Sequence, residues 1–419
     1  MVVKMSNKKG ILFVRLSIEN VAIILLVCSL FIFTFYFRMN IKSTLAYINL
    51  LFYISIIVLA VRCRVSFNGF YTILWFACVL IFIITNYCAG VGPMDIVKLF
   101  FMSCAPLLFA QIDSWKSVDT AQAARILVRA VNCCVFVVFA VLVIDLVTGS
   151  AAMRVLTANF LPGMTDWVES GVFDRHASIW GHYLSTAGFY LFFLFSNVAY
   201  ANFSGYYLLD VRLLYVVATI GILSTGGRTA LVVYLVSVVW INMSGRHKLR
   251  NVIVLTAFLV VLYAVGAFDI VLGRFGESDL TSGRNDAVSL MFTMEKPGVF
   301  STYGGTFGEH ARALIGFSSA AGMMEYSLLA LAYEYGILFV LLFCILVMRP
   351  FFSVAKSTGV WTIAFMGTML LVYFATFNGL TAVPDICLLL CTYGLLVQWL
   401  GSSQGQTANT DAESVKIAR

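Results

Sequence analysis

Long apolar runs broken by short polar connections make up most of the chain, and one polar interruption in the second half stands apart from them. A membrane-crossing helix needs about 20 mostly apolar residues. Runs of that kind begin near Val21, Ala46, Gly69, Ile96, Ala130, Ser178, Leu208, Thr229, Val252, Tyr326, Val360 and Pro384. The pattern predicts an all-α polytopic membrane protein with about twelve transmembrane helices. No soluble domain or long linker interrupts it, so residues 1–419 read as a single integral membrane domain. Two loops lack a span-length apolar run, residues 149–177 and residues 268–325, and residues 401–419 form a polar tail.

Inside the longer loop, Ser282 is placed as an N-cap, and Arg284, Ala287, Met291 and Met294 recur at helical spacing as far as Pro297 and Gly298. This predicts a short amphipathic helix lying on the membrane, with Arg284 in its first turn. Ser301 to Gly308 reads as a glycine-rich loop containing Gly304 and Gly305. It carries no lysine at P-loop spacing, so a nucleotide site is not expected.

Composition removes the soluble alternatives. With 61% hydrophobic and 11% charged residues and a mean hydropathy of +0.95, the chain is not a water-soluble globular domain. Its net charge of +7 comes without a basic run interleaved with exposed aromatics, so no nucleic-acid partner is expected. None of the 10 cysteines falls in either large loop, which leaves no disulfide framework and no zinc spacing there. No Asp-x-Asp pair or outward His cluster calls for a metal, and no other cofactor is expected.

Charge also orients the chain. Lys4, Lys8, Lys9 and Arg15 precede the first span, and no small-residue cleavage pattern follows it, so it reads as a retained anchor with a cytoplasmic N-terminus. Alternating twelve spans from there puts most of the 27 Lys and Arg, and both termini, in the cytoplasm. Arg38, Lys42, Lys98, Arg154, Arg175, Arg228, Arg274, Arg284, Lys296 and Arg312 fall outside. Either they gather around an anionic ligand, or long loops simply carry charge freely.

The first five spans read as scaffold. Asn86, Asn132 and Asp145 lie singly in them or near their ends, in keeping with helix-to-helix hydrogen bonding. Arg175 and His176 stand at the mouth of the sixth span, which opens with Ser178, Trp180, Gly181 and His182; this is either an interfacial anchor or a wall of a substrate groove. Ser224-Thr225-Gly226-Gly227-Arg228 joins the seventh and eighth spans. Its glycines allow a tight turn, and the next helix begins with its positive dipole end beside an arginine, a combination suited to phosphate. Snorkelling of Arg228 to lipid headgroups is the alternative.

Leu-Ser-Thr-Gly-Gly-Arg-Thr-Ala-Leu (223–231) is followed by the Arg-headed helix (282–294), then Pro297 and Gly-Gly-Thr-Phe-Gly (304–308). Glu-Tyr-Ser-Leu-Leu-Ala-Leu-Ala-Tyr-Glu-Tyr-Gly-Ile (325–337) completes the series. This order, from roughly Leu213 to Ile345, resembles the O-antigen polymerase and O-antigen ligase superfamily. The resemblance implies a GT-C-like glycosyltransferase in the bacterial cytoplasmic (inner) membrane. Its active site would face the periplasm and use undecaprenyl pyrophosphate-linked oligosaccharide without a nucleotide sugar or cofactor. Two family arginines match Arg228 and Arg284, expected here with Arg175, His176, Gly304 and Gly305 on the pyrophosphate and glycan. Ligases carry a His-Asn pair where this chain has Glu325 and Tyr326, so a Wzy-type polymerase joining O-antigen or exopolysaccharide repeat units is expected. A ligase transferring glycan to lipid A-core, or a lipid-linked oligosaccharide flippase, are the alternatives. Glu325 is the expected general base, His310 the competing one, and a structural Glu325–Arg pair the other reading. Membrane lipid and a chain-length regulator protein are the further partners expected.

Overall fold

The computed structural model describes residues 2–7, 10–15, 17–41, 46–116, 119–160, 176, 178–243, 284–305, 326–377 and 379–417. Several of its helices begin at a side-chain cap. Ser17 accepts from the Asn20 amide (3.2 Å) to start α1 (Ile18–Phe31), after a short ribbon of β1 (Val2–Asn7) and β2 (Gly10–Arg15). A short α2 (Phe35–Ile41) follows. Asn49 caps α3 (Leu50–Arg62), and Asn68, after β3 (Val65–Phe67), caps α4 (Gly69–Cys88). Next come α5 (Pro93–Leu99), a π-helical turn at Phe100–Cys104, α6 (Ala105–Phe109) and β4 (Ile112–Trp115). Asp119 caps α7 (Thr120–Thr148), which leads to α8 (Ala151–Phe160).

The second half contains α9 (Tyr183–Ser204), α10 (Val211–Ser224), α11 (Arg228–Met243), α12 (Arg284–Met294) and α13 (Ser327–Tyr335). It closes with α14 (Ile337–Thr358), α15 (Trp361–Ala375), α16 (Gly379–Ala382) and α17 (Pro384–Ile417). Among the described residues, α4, α7, α9, α14 and Pro384–Ser403 of α17 are long and apolar enough to cross a membrane. Five shorter apolar helices, α1, α3, α10, α11 and α15, pack with them. The chain is thus a predominantly helical, membrane-type bundle; the span expected from Val252 lies outside the described residues.

The two antiparallel ribbons depart from an all-α reading. In β4 the buried Ile112 and Trp115 and the exposed Asp113 fit a short strand laid on the bundle, pairing with β3 across the ends of α3 and α4.

Burial identifies the centre of the bundle. α9 and the apolar part of α17 are enclosed along nearly their whole length, whereas only a third of α4 is buried. Polar pairs tie these apolar helices together, as expected where backbone and amide groups have no water. Asn132 of α7 and Asn197 of α9 exchange two hydrogen bonds (3.1 and 2.7 Å). Pro350 cannot donate to the Leu346 carbonyl one turn back; the Gln111 amide donates there instead, at 3.1 Å.

The ends of the bundle differ. One gathers the C-termini of α1, α4, α7, α10 and α15 with the N-termini of α9, α11 and α17. The other carries the β3–β4 ribbon, the Glu19–Arg62 pair (3.4 Å), and Arg349 held by Asp113 and the carbonyls of Ala110 and Ile112.

Candidate functional site

The first of these ends holds the Ser224–Arg228 turn. Gly226 adopts φ +61°, a conformation favouring glycine, and the Gly227 carbonyl accepts from the Leu231 amide at 3.0 Å. Arg228 is therefore the first residue of a 16-residue helix, half-buried, at the positive end of its dipole. Amides in the first turn of a helix have no partner within that helix, which makes such an end receptive to anions.

His176 is fastened to the same turn: its amide donates to the Ser224 carbonyl at 3.0 Å. Its Nδ1 stands 3.9 Å from Oδ2 of the buried Asp145, whose Oδ1 accepts from the Met153 amide at 2.8 Å. Burial pushes the His176 imidazole below its ordinary range, and the Asp145 carboxylate opposes that shift. The result is an imidazole near a buried carboxylate, fastened to the turn that starts α11.

A short strap after His176 is held rigidly. Ser178 has φ +53°, and the Trp180 indole stacks on Phe189 (4.4 Å) and donates to the Phe31 carbonyl (2.9 Å). A Cβ on Gly181 would lie 2.4 Å from the Tyr36 ring, so only glycine fits. His182 then stacks on Tyr183 (4.6 Å) and faces Phe377 (6.5 Å).

Beside this cluster runs an apolar groove of about 500 Å³, lined by Val288, Tyr326, Leu328, Leu329, Leu371, Val372, Ala375 and Thr376. Contacts link it to the turn. A Cβ on Gly227 would lie 3.8 Å from Leu184, whose carbonyl accepts from Tyr373 (2.6 Å), and Ser327 donates to the carbonyls of Phe374 and Phe377. Trp240 of α11 stacks on Phe365 of α15 at 4.5 Å. Arg228 begins α11 before that stack and α15 ends at Ala375 after it, so the start of α11 and the end of α15 that lines the groove lie at the same end of the bundle. A smaller polar cavity of about 200 Å³ at the opposite end surrounds Arg349, which its ion pair and carbonyl bonds account for.

The site residues expected from sequence fare differently. His176 is tied by its amide to the Ser224 carbonyl of the turn that leads to Arg228. Arg284 begins α12, four residues before Val288 of the groove, a spacing that puts the two positions on one face of the helix. Gly304 (φ +56°) and Gly305 (φ +94°) are buried, and their amides donate to the Glu334 carbonyl and Asn86 Oδ1, each at 3.0 Å, so these amides serve the loop's own anchorage. Glu325, His310 and Arg175 lie outside the described residues, as does Ser282.

Two expectations need correction. Three of the outer cations have partners inside the protein: Arg38 makes a two-pronged bond to the buried Asp385 (2.9 and 3.1 Å), Lys98 pairs with Asp95 (2.7 Å), and Arg154 donates to the Gly149 carbonyl (3.2 Å). For these three the pairing favours the reading in which the cations serve the protein's own loops over the one in which they gather around a ligand. The short helix is also less two-sided than its spacing predicts. Leu290, Phe292 and Met294 are all exposed while Val288 meets the groove, so apolar residues occupy more than one face.

Asp145 and Asn86 were read as scaffold, yet one backs His176 and the other anchors the glycine loop. A polar residue one turn from the end of an apolar span was their only sequence signal. Among the described residues no three His, Cys, Asp or Glu side chains gather into a metal-binding group. No family model, curated protein or solved structure matches the chain.

Proposed function

We propose that the protein is a Wzy-type polymerase, a glycosyltransferase that joins undecaprenyl pyrophosphate-linked repeat units at the face of the membrane bearing Arg228. The carrying observation is the pairing of a cationic helix start, Arg228 behind the Gly226–Gly227 turn, with an apolar groove at the same end of the bundle. A donor made of a long hydrocarbon and a pyrophosphate needs both surfaces side by side.

In this reading the polyprenyl chain occupies the groove, and Arg228 and Arg284 bind the pyrophosphate. A hydroxyl of the acceptor repeat unit attacks the anomeric carbon, the bond to the pyrophosphate oxygen breaks, and the arginines stabilise the charge left on it. Proton removal falls to Glu325 or His310, the bases expected from the sequence, or to His176, whose imidazole lies near the Asp145 carboxylate beside the turn. Arg284→Ala, made in cells producing a polysaccharide ladder, tests the assignment. Loss of the ladder with normal membrane insertion supports it, and an unchanged ladder overturns it.

A further inference from the structure

The segment between α12 and the span-forming α14 is held as if it lay inside the membrane. α4 has 20 residues, about 30 Å of helix, which only just matches the ~30 Å hydrocarbon layer. Thr85 lies three residues inside its end, about 4.5 Å, and its hydroxyl donates to the Ser301 carbonyl at 3.0 Å. On the other side the first amides of α14, Ile337 and Leu338, donate to the carbonyls of Gly298 (2.9 Å) and Val299 (3.1 Å). The segment therefore sits within the limits set by two apolar helices.

Several of its polar groups turn inward, while Thr302 and Tyr303 are exposed. Ser301 Oγ donates to the Tyr333 carbonyl (2.8 Å), the amides of Gly304 and Gly305 are taken by Glu334 and Asn86, and the Gly305 carbonyl accepts from Tyr335. Gly336 bends the chain at φ +94° to admit the segment, and a Cβ there would meet the Val299 carbonyl at 2.5 Å. The side chains turn outward: Val299 and Phe300 are 61% and 64% exposed. They continue the open apolar stripes of Ile83, Ile84 and Tyr87 on α4 and Ile337, Leu341 and Ile345 on α14. Satisfied backbone facing protein and apolar side chains facing out is what non-helical chain at membrane depth requires.

The geometry points to Gly298–Gly305 as a re-entrant segment whose Val299 and Phe300 side chains contact lipid acyl chains, tethering α12 to the bilayer rather than leaving it on an aqueous loop. The inference is independent of the proposed catalysis. Nitroxide labels at Val299→Cys and Phe300→Cys test it in the full chain in lipid nanodiscs, after replacement of the exposed Cys88 and Cys133. Ile84→Cys serves as the lipid control and Lys356→Cys as the aqueous one. Collision with oxygen is expected to match Ile84, with protection from a water-soluble nickel chelate. Chelate access equal to that of Lys356, or shielding from both reagents by a protein partner or second copy, overturns it. If either cysteine prevents insertion, the other position carries the measurement.

Discussion

The main-chain amide of His176 donates to the carbonyl of Ser224 at 3.0 Å, across 48 residues and two helices of the bundle. That bond joins a partly buried imidazole and the nearby Asp145 carboxylate to the turn that starts α11 on Arg228.

Arg228 is the first test of that arrangement. Removing one positioned donor to developing charge typically costs about 10²–10³ in rate, so Arg228→Ala is expected to lower chain extension by that order. Arg228→Lys restores the charge but not the planar fork, and recovers only part of it. Initial rates with purified lipid-linked repeat units measure both; equal rates for all three proteins would remove Arg228 from the mechanism.

His176 predicts a pH effect with a definite sign. An unfolded histidine titrates near about 6.5, and burial holds His176 below that. Above the unfolded value both states are neutral. As pH falls towards the folded value, the unfolded chain binds the proton first and stability declines. Asp145 raises the folded value, so Asp145→Asn should move the imidazole titration to lower pH, read from the His176 resonance in labelled protein. A shift to higher pH would contradict the assigned contact.

Much of this end was legible in sequence because its signals are local. Two glycines and an arginine before an apolar run announce the turn and helix start, and Pro297–Gly298 limits α12, which ends at Met294. What sequence hid depends on distant partners. Asp385 lies 347 residues from Arg38, so an outer arginine looked available for a ligand when it was already paired. The Glu334-Tyr335-Gly336 stretch reads as part of one continuous span, and only the Val299 carbonyl lying against Gly336 reveals the break. Asp145 and Asn86 carried only the weak signal of a polar residue near a span end, because their partners, His176 and the Gly305 amide, are distant in sequence.

The groove predicts a separable defect. Ala375→Trp fills space lined by Leu371, Val372 and Thr376 without touching the turn, so the Michaelis constant for the lipid-linked donor should rise several-fold while the turnover number changes little. A fall in turnover number alone would place the hydrocarbon elsewhere.

Arg38 and Asp385 bear on stability rather than chemistry. Asp385 also accepts from the Phe35 amide (2.8 Å) and Asn49 (3.1 Å), so it organises the whole turn after α1. Removing one partner of a buried pair costs about 3–5 kcal/mol, and Asp385→Ala should unfold at markedly lower temperature in detergent. Arg38→Met combined with Asp385→Leu should recover part of the loss; a double variant no better than the single would mean that the backbone bonds of Asp385, not the ion pair, dominate.

The central claim is chain extension on the lipid carrier, and reconstitution measures it most directly. Purified protein in liposomes, given undecaprenyl pyrophosphate-linked repeat units alone, is expected to produce lipid-linked oligomers of increasing length and to release undecaprenyl pyrophosphate, with both lost in Arg228→Ala. Transfer to an added lipid A-core acceptor without self-extension, or movement of the lipid-linked sugar across the bilayer with no new glycosidic bond, would contradict the account.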